Sequence, residues 1–319
     1  MKRWRTAGLS AGASTSVCSP ISSHDHLNAH GSFEHYLASK AQLFVHLRRG
    51  SSAVLNANDQ AASYIERVTP PYVRRLYFSA PSRGPRWAMP DLALRSCKLN
   101  RRGTLIELEP SELADALGRK LEIRLLGAAF AENALAAALA GYAVGLSPEQ
   151  LKAGLLSLDR VPGRFELVVD SPCVAVDYAH SEDALRRTCQ AGRALLGEIG
   201  GGKLVVVFGA GGERDAEKRV PMGRAVGESA DLAIVTNDNP RGEEPSLIAQ
   251  ALLRGVHAGG RARGVVELDR RRAIERALDA AGRNDVVLVC GKGHESEQVG
   301  AALREHFDDA ECVRSLIAS

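Results

Sequence analysis

Hydrophobic and polar positions follow two different rhythms along this chain. In the second half, three unbroken apolar runs, Leu204–Phe208, Leu232–Val235 and Val286–Val289, follow an earlier one at Val174–Val176. Stretches of helical spacing separate them, at 182–196, 217–229, 246–255 and 270–281. Continuous β-branched runs alternating with helices predict a parallel sheet covered on both faces. Periodicity leaves the strand order open.

The first half is less regular. From Ser32 to Leu47, Phe33, Tyr36, Leu37, Ala41, Phe44 and Val45 recur at helical spacing. Ser51–Asn56 predicts a short strand closed by turn-forming Asn and Asp, and Arg119–Leu126 predicts another. Ala128–Val144 is an Ala- and Leu-rich helix stopped by Gly145. Ser147–Leu156 opens with Ser-Pro-Glu-Gln, a cap followed by proline at the first helical position. Residues 67–102 are rich in Arg, Lys and Pro, carry Asp91 as their one acidic residue, and predict a solvated face or irregular β-structure. The segment 159–164 (DRVPGR) breaks both rhythms and predicts a linker.

Each apolar run of the second half ends in a burst of small and charged residues: DYAHSEDAL (177–185), GAGGERDAEKR (209–219), TNDNPRGEEP (236–245) and CGKGHESEQ (290–298). Ligands of open α/β sheets bind beyond the carboxyl ends of the strands, so these four bursts are expected to converge on one cleft. Taken singly they say less. Gly209–Gly212 suits a phosphate cradle or a tight strand-to-helix turn, and Asp177 suits a ribose hydroxyl or a helix cap. His180 and His294 fit catalysis or simple hydrogen bonding.

Charge and cysteine content narrow the function classes. A net charge of +3 over 319 residues gives no footprint for nucleic acid or an anionic membrane. No apolar run reaches the roughly 20 residues a bilayer demands. The six cysteines are scattered without a C-x-x-C pair, which argues against a zinc site or disulfide scaffold and for a reducing, cytoplasmic setting. The basic, acid-free segment 1–20 lacks the apolar centre of a secretory signal.

Five strings in order, VPGRFE (161–166), VDYAHSEDAL (176–185), VVFGAGGERDAEKR (206–219), TNDNPRGEEP (236–245) and LVCGKGHE (288–295), resemble the C-terminal domain of the Mur ligases. Within that family they resemble members that add meso-diaminopimelate or lysine to a UDP-N-acetylmuramoyl-dipeptide. SHDHLNAHGSFEHYLASKAQLF (23–44), AVLNANDQ (53–60) and AAFAENALAAALA (128–140) resemble later parts of that family's central domain. The resemblance implies an α/β chain: an unstructured segment 1–20, a partial central domain over 21–160, and a Rossmann-like C-terminal domain with a mostly parallel sheet over 161–319. It implies a monomer working with ATP and Mg²⁺ on small molecules, UDP-MurNAc-dipeptide and meso-diaminopimelate, through an acyl phosphate.

The resemblance also implies roles. Lys40, as a carbamate, and His26 would serve catalysis and Mg²⁺. Asn133, Arg164 and Asp177 would meet ATP. Arg214, the tetrad Asp238, Asn239, Pro240 and Arg241, and then Gly291 and Glu295 would hold the incoming amino acid. Meso-diaminopimelate carries a second carboxylate and ammonium at its far end. Two guanidinium groups suit that carboxylate and select against lysine, which lacks it.

The chain departs from the family pattern at definite places. It contains no G-x-x-G-K-[ST] string, and the usual DHLDYHG reads DHLNAHG, with Asn28 and Ala29; Ala131 replaces the usual Asn. The polypeptide by itself is therefore expected not to turn over ATP, with a separate chain as one source of the absent loop. A non-catalytic binding module derived from such a ligase, and a ligase for lysine or folate, are the alternatives.

Overall fold

A computed structural model of the chain describes residues 16–18, 33–80, 84–300 and 304–318. The chain divides into two compact units. The first takes residues up to Cys97 with 106–122 and 131–156; the second takes 98–105, 123–130 and 157–319.

One six-stranded sheet has the spatial order β1 (Ser16–Cys18), β2 (Ser52–Asn56), β3 (Arg74–Ser79), β4 (Leu92–Asn100), β5 (Gly103–Leu108) and β6 (Lys120–Ile123). The pairs β1–β2, β2–β3 and β3–β4 are parallel. Parallel neighbours need a crossover, and helices α1 (Phe33–Val45) and α2 (Gln60–Val68) supply the first two. Tyr36, Ala41 and Phe44 of α1 and Ala62 and Ile65 of α2 pack with Ala53 and Leu55 of β2 in one core. Asp59 caps α2 by accepting from the Ala61 N–H at 2.9 Å. Helices α3 (Glu112–Ala116), α4 (Ala128–Ala143) and α5 (Pro148–Ser157) follow.

The basic stretch 67–102 contains two regular strands, β3 and the whole of β4. In β3 Leu76 and Phe78 are buried, while Arg74, on their face at the start of the strand, is exposed and Arg75, on the other face, is half-buried, so the cations cluster at one end of a paired strand. Strand β1 falls inside the 1–20 segment expected to be unstructured, a correction made possible by pairing with the buried β2. The remainder of that segment, and the DHLNAHG string with His26, lie outside the described residues.

The second sheet contains β7 (Glu166–Asp170), β8 (Cys173–Asp177), β9 (Leu204–Phe208), β10 (Leu232–Val235), β11 (Arg263–Val266) and β12 (Val286–Cys290), in the order β11-β10-β9-β12-β8-β7. All neighbours are parallel except the edge pair β7–β8. Helices α6 (Glu182–Ile199), α7 (Arg219–Ser229) and α8 (Pro245–Gly259) make crossovers that step in one direction across the sheet; α9 (Arg270–Ala280) steps back. Right-handed crossovers of opposite direction must lie on opposite faces. The packing agrees. Leu185, Met222 and Ile248 share a core with Val206, Phe208 and Leu288, whereas Ala273, Ile274 and, from α10 (Asp309–Ile317), Val313 share another with Val205, Val207 and Val287. A small antiparallel hairpin joins β13 (Glu297–Val299) to β14 (Arg304–His306).

Candidate functional site

Because β8, β9, β10 and β12 run parallel, their carboxyl ends, and the four polar bursts, meet at one edge of the second sheet. Two of these loops interlock through backbone. The Gly212 N–H donates to the Asn239 carbonyl at 2.9 Å, and a Cβ on Gly212 would sit 1.9 Å from the Pro240 oxygen. Only glycine permits that approach. Helix α7 begins at Arg219, well after the glycines, so no helix N-terminus stands behind Gly209–Gly212. At Gly209 and Gly212 the run serves close packing against the β10 loop.

Interlocking places the arginines. Arg241 adopts a left-handed backbone (φ 54°) and donates from Nη1 to the Gly212 oxygen at 2.8 Å and the Asn239 oxygen at 3.3 Å. A Cβ built on Gly211 would lie 2.9 Å from Arg241 Nη1 and 3.7 Å from Arg214 Cγ, so both side chains border the same point. Arg214 is exposed, and Arg241 is partly so.

The β12 loop closes the third side. Asn239 donates from Nδ2 to Glu295 Oε2 at 3.0 Å, while its Oδ1 accepts from the Val299 N–H at 2.9 Å and from Lys292 Nζ at 3.2 Å. Lys292 is fully buried, donates also to the Glu297 oxygen at 2.6 Å, and stands 3.9 Å from Asp238 Oδ1, which has no hydrogen-bond donor among the described residues. Burial pushes the Lys292 ammonium below its ordinary pKa, against the pull of Asp238. A Cβ on Gly291, at φ 117°, would lie 3.0 Å from Asp238 Oδ2. Beneath the loops, buried Arg270 forks onto Asp309 at 2.7 Å from both Nε and Nη2 and donates to the Asn237 and Cys290 oxygens at 3.0 Å. The loops thus stand on an ion pair at the carboxyl ends of the strands.

At the β8 end, exposed Arg164 lies over the Tyr178 ring at 4.4 Å, and Tyr178 contacts the His180 and His294 rings at centroid distances of 4.6 and 5.1 Å. The two strings are held by close approach, since a Cβ on Gly163 would meet the His294 nitrogen at 2.1 Å. Asp177 accepts from the N–H groups of Phe165 (2.8 Å) and Ala179 (2.9 Å) and from the Thr188 hydroxyl (2.9 Å). Ser181, not Asp177, caps α6. Burial raises the Asp177 carboxyl above its ordinary value despite those donors.

In the first unit, Asn133 is exposed on α4 beside buried Glu132, whose Oε1 accepts from Asn56 Nδ2 at 2.9 Å. Lys40 is half-buried on α1, its ammonium 5.7 Å from the centre of the Tyr36 ring. Among the described residues, no three His, Cys, Asp or Glu side chains gather as a metal site, and no helix is long and apolar enough to cross a membrane. The described residues alone form no Mg²⁺-ligand set, and His26 lies outside them.

Sequence reasoning singled out neither Lys292, Tyr178, Glu243 nor Arg219. All four lie inside quoted strings, but a buried lysine cannot be told from an exposed one without the packing.

Two family descriptions match the chain: the Mur ligase middle domain over residues 19–141 and the Mur ligase glutamate ligase domain over 163–293. This chain belongs to the Mur ligase family. It is similar to the UDP-N-acetylmuramoyl-L-alanyl-D-glutamate–2,6-diaminopimelate ligases of Gloeobacter violaceus (38% identical over 303 residues) and Chlorobaculum tepidum (35% over 298). Each match covers 92% of this chain and 57% of the relative. A solved structure of a ligase of the same description superposes with a TM-score of 0.59 at 30% identity, over 94% of this chain and 58% of that one. The chain thus spans little more than half the length of these Mur ligases, with the α/β, parallel-rich architecture expected of it.

Proposed function

We propose that this chain carries the amino-acid half-site, and the adenosine side of the nucleotide site, of an ATP-dependent ligase. The ligase joins meso-diaminopimelate to UDP-N-acetylmuramoyl-L-alanyl-D-glutamate. The division at about residue 160 into a central and a C-terminal Mur ligase domain belongs to the same proposal. What carries the reading is the interlocked DNPR loop, with Arg241 and Arg214 bordering one point at Gly211 and Asn239 tying Glu295 to the same loop.

The chemistry follows from charge. The guanidinium groups of Arg214 and Arg241 take the distal carboxylate, and Glu295 with the Gly291 carbonyl takes the distal ammonium. Lysine offers only the ammonium and leaves the arginines unmatched. Arg164, Asp177 and Asn133 are proposed for the nucleotide, and Lys40 with His26 for Mg²⁺. When bound, ATP supplies the phosphoryl group that activates the acceptor carboxylate. The chain's own residues orient the amine that follows.

Titration calorimetry of the purified chain tests the clamp. Meso-diaminopimelate should bind more tightly than lysine, and Arg241→Ala should weaken it by about tenfold or more, the scale of one charge-assisted contact. A wild-type chain that takes up neither amino acid would overturn the reading.

A further inference from the structure

We propose that Glu243, fixed by Arg219, is a positioning residue that holds Arg214 in the clamp and thereby sets the preference for a distal carboxylate. The inference rests on the clamp reading above.

Arg214 follows Glu213, a non-glycine residue with a left-handed backbone (φ 52°). Such a conformation persists only where its surroundings over-determine it. The Glu213 N–H donates to Glu243 Oε1, across from the β9 loop to the β10 loop. Glu243 is itself anchored: Arg219 Nη2 reaches its two oxygens at 2.9 and 2.8 Å. The Arg219 side chain is 7% exposed and that of Glu243 33%. A buried guanidinium has strong reason to keep its carboxylate, because losing it leaves an unpaired charge.

Arg241 and Gly212 already join the two loops on the near side of Glu213. Glu243 adds the bond at Glu213 itself, the last backbone group before Arg214. Remove that acceptor and the left-handed turn loses its partner, and Arg214 is free to swing from Gly211. Arg241 keeps its own bonds. The loss should fall on the carboxylate half of the clamp and spare Asn239 and Glu295, which serve the ammonium.

The test compares two ligands on the full chain. With Glu243→Ala, diaminopimelate should bind about tenfold more weakly, the scale of one charged hydrogen bond, while lysine affinity stays unchanged. A merely structural defect would weaken both equally. The Glu213 amide proton, downfield in the wild type, should move upfield in the variant's nitrogen–proton spectrum. Should Glu243→Ala fail to fold, Glu243→Gln decides: its oxygen still accepts the amide, so the diaminopimelate-to-lysine ratio should fall by about two- to fivefold, part of that same bond. A folded variant with an unchanged ratio overturns the positioning role. Absence of diaminopimelate binding by the wild type is a separate result, which overturns the clamp and this role with it.

Discussion

The two sheets bury polar groups in different ways. At the end of β2, Asn56 bonds Glu132, and Asn58 accepts from the Ser79 hydroxyl at 2.8 Å and the Ala80 N–H at 2.9 Å, a network built mainly on amide and hydroxyl groups. At the ends of β10 and β12 the buried groups are charged: Arg270 with Asp309, and Lys292 beside Asp238. The first arrangement pins strands together. The second fixes loops whose tips carry Arg214 and Arg241. Buried amides need only a partner, whereas buried charges need a counter-charge as well, so the second region holds a more exacting geometry.

Isosteric amide substitutions break or sharpen this contrast. Asp309→Asn should cost about 3–5 kcal/mol in urea unfolding, because it strands a fully buried guanidinium. A loss under about 1 kcal/mol would erase the difference between the regions. Gly212→Ala should come next, at about 1–3 kcal/mol, since its methyl must displace the Pro240 carbonyl. Calorimetry of that variant should show diaminopimelate binding reduced by about tenfold or more, as the interlocked loops part. Glu132→Gln should be milder, about 1 kcal/mol or less, because the amide oxygen still accepts from Asn56.

The smallest effect concerns pH. The Glu213 N–H, and then Arg219, hold the Glu243 carboxyl below the ordinary range. A depressed carboxyl stabilises the fold fully above its unfolded pKa of about 4.3, and loses that contribution as pH falls through the lower folded value. The unfolding midpoint of the wild type should therefore drop faster than that of Glu243→Gln across that acidic window. Parallel curves would show that the carboxylate's charge is not felt.

Most of the second sheet was legible in the chain. Its strands LVVVF and VVLV are buried along their whole length, and LAIV in all but its first residue, and an element apolar on both faces has no other place to be. The first sheet was less so. In RRLYFS and LALRSCKLN the cations stand on both faces at exposed or half-buried positions and interrupt the apolar pattern. Strand β11 (RGVV), a sheet edge with no residue fully buried, gave too weak a signal to separate from the loop around it.

The site divides in the same manner. Sequence alone determined which residue types stand at the strand ends, and through the strings from 161 to 295, which family the chain resembles, because motif order is carried by covalent spacing. Tertiary structure alone decided that Gly212 serves a loop contact, that Lys292 is buried, and that Glu243 reaches Glu213. The physical reason is distance. These relations join positions about 30 to 50 residues apart in the chain, and only parallel pairing of the strands brings their carboxyl ends to one edge.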